Sequence, residues 1–156
     1  MSLRKGDLET EAKARIRILE LPEGLDDIFE VVKELRPHLD LNDFKRYVML
    51  AHAADGYRVV VTEDKGQPIA MMGYRILHDL AHGSHLYIDD LVTTKAVRSS
   101  GHGTALLKFA EAECRRLGLT GLRLCTGVEN KEARKFYERE GWEARSIAYK
   151  KKVPSH

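Results

Sequence analysis

Two cysteines in 156 residues are too few for a disulfide framework. Cys114 falls on a predicted helix and Cys125 in a predicted strand, so both are read as buried, reduced thiols. No apolar run approaches the roughly 20 residues that a membrane helix needs. Charge of neither sign dominates: the formal balance is +2, which gives little reason to invoke nucleic acid or an anionic membrane. No repeat, linker or low-complexity run is present. The polar start, residues 1–14, lacks the apolar core of a secretory signal, and a cytoplasmic location is the expectation. What remains is one domain over residues 15–156, large enough to bury a core.

The hydrophobic pattern gives an ordered series of elements. RIRILEL (15–21) alternates as a strand does. Leu25, Ile28, Val32, Leu35 and Leu39 recur at helical spacing, and Pro37 ends or bends that helix. Asn42 is expected to cap a second helix bearing Phe44, Val48 and Ala51, which Gly56 closes. YRVVVTED and PIAMMGYRIL read as a hairpin, and HLYIDDLVT as a further strand. A helix over about 102–117 follows, then the strand LRLCTGV. Asn130 is expected to cap a helix through Glu140 with Ala133, Phe136 and Tyr137 inward, and WEARSIAYKKKV to supply one or two closing strands. This is a mixed α/β (α+β) domain: a mostly antiparallel sheet, flanked by helices. The strand–helix–strand at 86–128 is expected to form one parallel pair.

The segment VRSSGHGTALL (97–107) carries the first chemistry. Gly101 and Gly103 sit where a helix opens, so backbone N–H groups and a positive dipole end stand clear of any Cβ. Arg98 adds a fork of donors suited to phosphate oxygens. A dinucleotide fingerprint is excluded, because its third glycine is Leu106 here. A Walker loop is excluded too, since Gly-Lys-Ser/Thr is missing.

LYIDDLVTTKAVRSSGHGTALL resembles the central motif of the GNAT superfamily of acetyl-CoA-dependent N-acetyltransferases: an apolar strand, a loop, then Arg/Gln-x-x-Gly-x-Gly/Ala opening a helix. ENKEARKFYEREGW resembles a second motif of that superfamily through Asn130, Ala133, Phe136, Tyr137, Gly141 and Trp142. The likeness covers residues 85–145; the first 84 match in element order alone. It implies that main-chain groups of Leu91, Val92 and Thr93 bond the pantetheine arm. It also implies that Arg98, Ser99, Ser100, Gly101, His102, Gly103 and Thr104 hold the diphosphate. Asn130 would lie near the pantetheine end and Tyr137 near the sulfur. The co-substrate would be acetyl-CoA, with no metal.

The implied reaction sets requirements. An alkylamine with pKa near 10.4 must lose a proton, at roughly 4–5 kcal/mol at neutral pH. A base accepts that proton, donors steady the tetrahedral oxyanion, and the departing thiolate is protonated. Asp89 and Asp90 are the candidate carboxylates. Neighbours on a regular strand face opposite ways, so one enters the cleft unless a bulge aims both. IDDLV resembles the Glu/Asp-Asp-Leu-x-Val sequence of small-amine acetyltransferases. By that likeness Asp89 is the water-mediated base and Asp90 orients the amine; Tyr137 of the second motif is the candidate acid, and the Val92 N–H the candidate oxyanion donor. Glu129 is a weaker base. The position where some protein N-terminal acetyltransferases carry a glutamate, five before Asn130, is Cys125.

An acidic pair suits a cation, so the expected acceptor is a small primary amine, attacked directly in a ternary complex. A protein N-terminus or lysine, and a non-catalytic acyl-CoA-binding module, stand as alternatives. The expected partners are the coenzyme and the amine, with no nucleic acid and no membrane, and a homodimer stays open. The segment around His38 and Asp40 is expected on the acceptor side. His78, His82 and His85 are read as solvated loop residues, and Lys150–Lys152 as a solvated end strand.

Overall fold

The structure is a computed structural model that describes residues 14–156. The polar start lies outside the described residues, save Ala14. The chain divides into two compact units, the first ending at Arg123 and the second Leu124–His156.

The first unit contains β1 (Arg15–Ile18), α1 (Leu25–Leu35), α2 (Leu41–Asp55), β2 (Arg58–Asp64), β3 (Gln67–Asp79), β4 (Gly83–Thr93) and α3 (His102–Arg116). A single 3₁₀ turn, Lys95–Val97, precedes α3, and β5 (Leu122–Leu124) spans the boundary between the units. The sheet order is β1-β2-β3-β4-β5. The first three pairings are antiparallel, and β5 beside β4 is the one parallel pair.

Both faces of the sheet are covered. Val59, Val61, Met71 and Val92 form one core with Leu25, Ile28, Val32, Phe44 and Val48 of α1 and α2. The alternate residues Val60, Ala70 and Met72 are also buried, while α3 packs against β3 and β4. Burial on both faces explains why β2 reads VVVT without alternation. Leu25 and Ile28 are wholly buried, each worth about 1.5–3 kcal/mol.

α1 stops at Leu35, before Pro37, as the proline requires. α2 starts two residues earlier than expected: its cap is Asp40, whose side chain accepts from the Asp43 N–H at 2.8 Å, and Asn42 lies inside the helix. Both residues are good caps, and the earlier one brings Leu41 into the first turn. Gly56 closes α2 in the left-handed conformation, φ 67°.

The second unit holds α4 (Lys131–Arg139), capped as expected by Asn130, whose side chain accepts from the Ala133 N–H at 3.1 Å. Ala133, Phe136 and Tyr137 form its less exposed face, half-buried where the rest of α4 is exposed, though none is fully buried. Two expectations fail here. LRLCTGV is strand for Leu122–Leu124 alone, so Cys125 is exposed and not a buried strand residue. WEARSIAYKKKV forms no strand; Ile147, Tyr149 and Val153 alternate correctly yet are exposed. A strand exists only through its ladder, and alternation alone supplies no partner.

Candidate active site

The register of β3 against β4 decides where the two carboxylates point. Gly73 pairs with Asp90 and Tyr74 with Ile88, so Asp89 is an extra residue on β4 with no partner on β3. This bulge breaks the strand alternation. Asp89 and Asp90 both line one cavity of about 650 Å³. Apolar walls come from Val32, Leu39, Phe44, Val48 and Met71; Tyr47 and His38 line it as well. His38 is therefore on this cavity, and Asp40 is the helix cap beside it.

Each carboxylate is held by a guanidinium. Arg75 donates from Nε to Asp89 Oδ2 at 3.1 Å and from Nη2 to Oδ1 at 2.9 Å, while its Nη1 reaches Asp55 at 3.0 Å. Arg36 donates from Nε and Nη2 to Asp90 Oδ1, at 3.1 and 3.0 Å, and from Nη2 to the Asp89 carbonyl at 3.2 Å. The Tyr57 hydroxyl donates to Asp90 Oδ2 at 2.7 Å. Burial pushes the Asp89 carboxyl above the usual aspartate range, against the opposing pull of Arg75, and Asp90 adds to the rise. Asp89 thus combines a fixed orientation with raised basicity, the properties of a proton acceptor. Burial, the Asp90 charge and the hydrogen bond to it hold the Tyr57 phenol well above its ordinary value, so it stays a donor.

Sequence reasoning missed Arg36, Tyr57 and Arg75. One signal was present: Gly73 is a glycine inside a strand of bulky residues, which marks a bulge or a close approach. It marks both here. A Cβ on Gly73 would fall inside the Tyr57 phenol.

Leu91, Val92 and Thr93 follow the bulge at the end of β4, paired to Met72, Met71 and Ala70 on one side. On the other side β5 is three residues long and enters near Leu86, where the Leu86 N–H donates to the Gly121 carbonyl at 3.0 Å. Arg98 Nε donates to the Thr93 carbonyl at 3.2 Å, tying the next turn to this strand end. Ser99 (φ 67°) and Gly101 (φ 82°) both take the left-handed conformation, Gly101 as the residue that opens α3. Its N-cap, Gly101, makes no side-chain cap hydrogen bond among the described residues. Ser100 and Gly101 are exposed, and His102, Gly103 and Thr104 form the first turn, half-buried. Such a terminus presents N–H groups and the positive end of a dipole, which is how helices hold phosphate. Glu34 braces the approach: its carboxylate accepts from the Lys95 N–H at 2.9 Å.

In the second unit the Tyr137 ring lies 5.2 Å from Phe136 and 5.9 Å from Trp142, centroid to centroid. Burial raises its phenol above the ordinary value. Glu129 is exposed in the turn before α4. The histidine reading needs two corrections, the first being that His78 is exposed but lies on β3 and not in a loop. His85 is not a solvated loop residue: it lies on β4, fully buried, its Nδ1 bonded to the Gly83 carbonyl at 3.1 Å. Across the ladder it pairs with Leu77 of β3, inside the β3–β4 hairpin. Among the described residues no group of His, Cys, Asp and Glu could hold a metal ion, and no helix is long and apolar enough to cross a membrane.

Known proteins resemble this chain in sequence and fold. The uncharacterized N-acetyltransferase YhdJ of Bacillus subtilis is 29% identical over 126 residues, spanning 80% of this chain and 89% of its own. The aminoalkylphosphonate N-acetyltransferase of Salmonella typhimurium is 28% identical over 134 residues, 83% of this chain and 85% of its own. Among solved structures, the aminoglycoside N-acetyltransferase AAC(6')-Iy in complex with CoA superposes with a TM-score of 0.75 at 18% identity, covering 90% of this chain and 97% of that one. Glucosamine-6-phosphate N-acetyltransferase from Arabidopsis thaliana superposes with a TM-score of 0.67 at 24% identity, over 90% and 99%. The family model described as the acetyltransferase (GNAT) family matches residues 19–142. The chain is therefore an acyltransferase enzyme of the GNAT family, whose members use acetyl-CoA.

Proposed function

We propose that this enzyme transfers the acetyl group of acetyl-CoA to the primary amine of a small molecule, by direct attack in a ternary complex. The observation that carries the reading is the bulge at Asp89, which brings two neighbouring carboxylates into one cavity. A regular strand would have sent one of them to the opposite face.

Asp89 is the base. It receives the ammonium proton through a water, and its raised pKa narrows the gap to the amine. Asp90 orients the amine. The main-chain groups of Leu91, Val92 and Thr93 pair with the pantetheine arm, and the Val92 N–H steadies the oxyanion. The turn from Arg98 through Ser99, Ser100, Gly101, His102 and Gly103 to Thr104 holds the diphosphate; its uncapped helix start and left-handed Gly101 fit that anion. Asn130 contacts the coenzyme near its pantetheine end. Tyr137, kept protonated by burial, returns a proton to the departing thiolate.

The acceptor is selected by shape more than by net charge, because Arg36 and Arg75 already neutralise the acidic pair. Apolar walls on α1 and α2 and a hydrogen-bonding floor on β4 suit an amine with an apolar body. A thiol-release assay with acetyl-CoA tests the reading across alkylamines, aminoalkylphosphonates, amino sugar phosphates and peptides. Turnover is expected with small amines. Turnover with peptides alone would replace this reading with protein acetylation.

A further inference from the structure

We propose that Tyr57 is a positioning residue for the acceptor amine: its hydroxyl fixes the Asp90 carboxylate in the cavity, and Gly73 is a glycine because that phenol occupies the space of its side chain. The inference rests on the acetyl-transfer reading of this cavity and adds a specificity element to it.

Three observations meet at this point. Tyr57 is buried, 6% exposed, yet its hydroxyl reaches the cavity floor and donates to Asp90 Oδ2 at 2.7 Å. Asp90 Oδ1 is filled separately by Arg36. The two donors come from different parts of the chain, one from the residue that ends α1 and one from the residue before β2, and between them they hold both carboxylate oxygens. Gly73, the residue paired with Asp90 across the ladder, would collide with the phenol if it carried a Cβ. Ring, glycine and carboxylate therefore interlock across β2, β3 and β4.

The chemistry follows from the atoms. A carboxylate clamped by a guanidinium and a phenol cannot rotate, so its remaining lone pairs address one place in the cavity. An amine bonded there is oriented without being gripped tightly. Tyr57 cannot be the base, because it is held protonated. The other charged or titratable groups lining the cavity are His38 from the loop after α1, Asp43 and Tyr47 from α2, Arg75 from β3 and the neighbouring Asp89. None of these bonds the Asp90 carboxylate among the described residues.

Tyr57→Phe keeps the ring and removes the donor. With an amine that the wild-type enzyme acetylates, KM for the amine should rise about tenfold, with kcat changed less than about threefold. Coenzyme affinity should not move. Gly73→Ala should reproduce the KM effect by displacing the ring, and adding Tyr57→Phe to it should cost nothing further. A purely structural tyrosine would lower Tm while leaving KM for the amine in place, and that outcome overturns the inference alone. Absence of wild-type turnover with every amine overturns the acetyl-transfer reading, and this inference with it.

Discussion

Arg75 meets Asp89 at two points, Nε to Oδ2 at 3.1 Å and Nη2 to Oδ1 at 2.9 Å, while the same guanidinium reaches back to Asp55 on α2. The contact restrains a carboxylate that burial pushes in the opposite direction. Burial raises the Asp89 pKa and Arg75 pulls it down, with burial the larger effect.

The sign of the pH dependence follows. A base works when deprotonated, so kcat/KM should climb as pH rises through the Asp89 pKa, which lies above the usual aspartate value. Arg75→Gln removes the influence that lowers it, and the acid limb should move further up. Asp89→Asn should remove the limb and lower kcat on the order of 10²-fold. A pH–rate profile of the three proteins checks this; an unmoved limb in Arg75→Gln would contradict the assignment of Asp89.

Gly101 opens α3 with φ 82° and has open space around it, so a side chain there meets no obstacle except its own backbone. A β-branched residue in the left-handed region costs about 1–2 kcal/mol. Gly101→Val should relieve that strain by reshaping the turn. Coenzyme affinity should fall at least about tenfold, with little change in Tm. Calorimetric titration with coenzyme A reads the first and thermal unfolding the second.

Much of this site was legible because its pieces are local. The helix-opening glycine turn and the Asn130 cap each lie within a few consecutive residues, and local chemistry fixes both. The interlock of Tyr57, Gly73 and Asp90 is different. It depends on which residue of β3 faces which residue of β4, and a one-residue bulge changes that answer. The pattern of IDDLV admits either register. The second unit shows the same limit from the other side: SIAYKKKV alternates like a strand, but pairing is not a property of one segment. Asp40 and Asn42 illustrate a smaller ambiguity, two good caps within one turn.

Glu34 gives a test of the proposed coenzyme turn from outside it. Burial opposes its charge, but the Thr94 hydroxyl, the Lys95 N–H and the charges of Arg98 and Lys95 together hold its carboxyl below the usual range. A carboxylate with a depressed folded pKa stabilises the fold above its unfolded pKa, and that contribution fades as pH falls through the folded value. Glu34→Gln should loosen the loop that leads into Arg98. The dissociation constant for coenzyme A should rise several-fold, on the scale of one lost charge-assisted bond, while KM for the amine holds. Equal effects on both ligands would mean that the brace acts on the whole unit.

Tyr137 offers the sharpest test of the proposed proton return. Its ring is flanked by Phe136 and Trp142, and burial keeps the phenol protonated. A thiol has a pKa near 8.5, so a thiolate is already a fair leaving group, and its acid should contribute at the low end of the usual range. Tyr137→Phe keeps the ring contacts and should lower kcat by roughly 10²-fold, with coenzyme affinity intact. A thioester of a more acidic thiol needs the proton less, so the gap between the Phe variant and the wild type should narrow with that substrate. A gap of the same size for both thioesters would move Tyr137 from proton donor to packing residue.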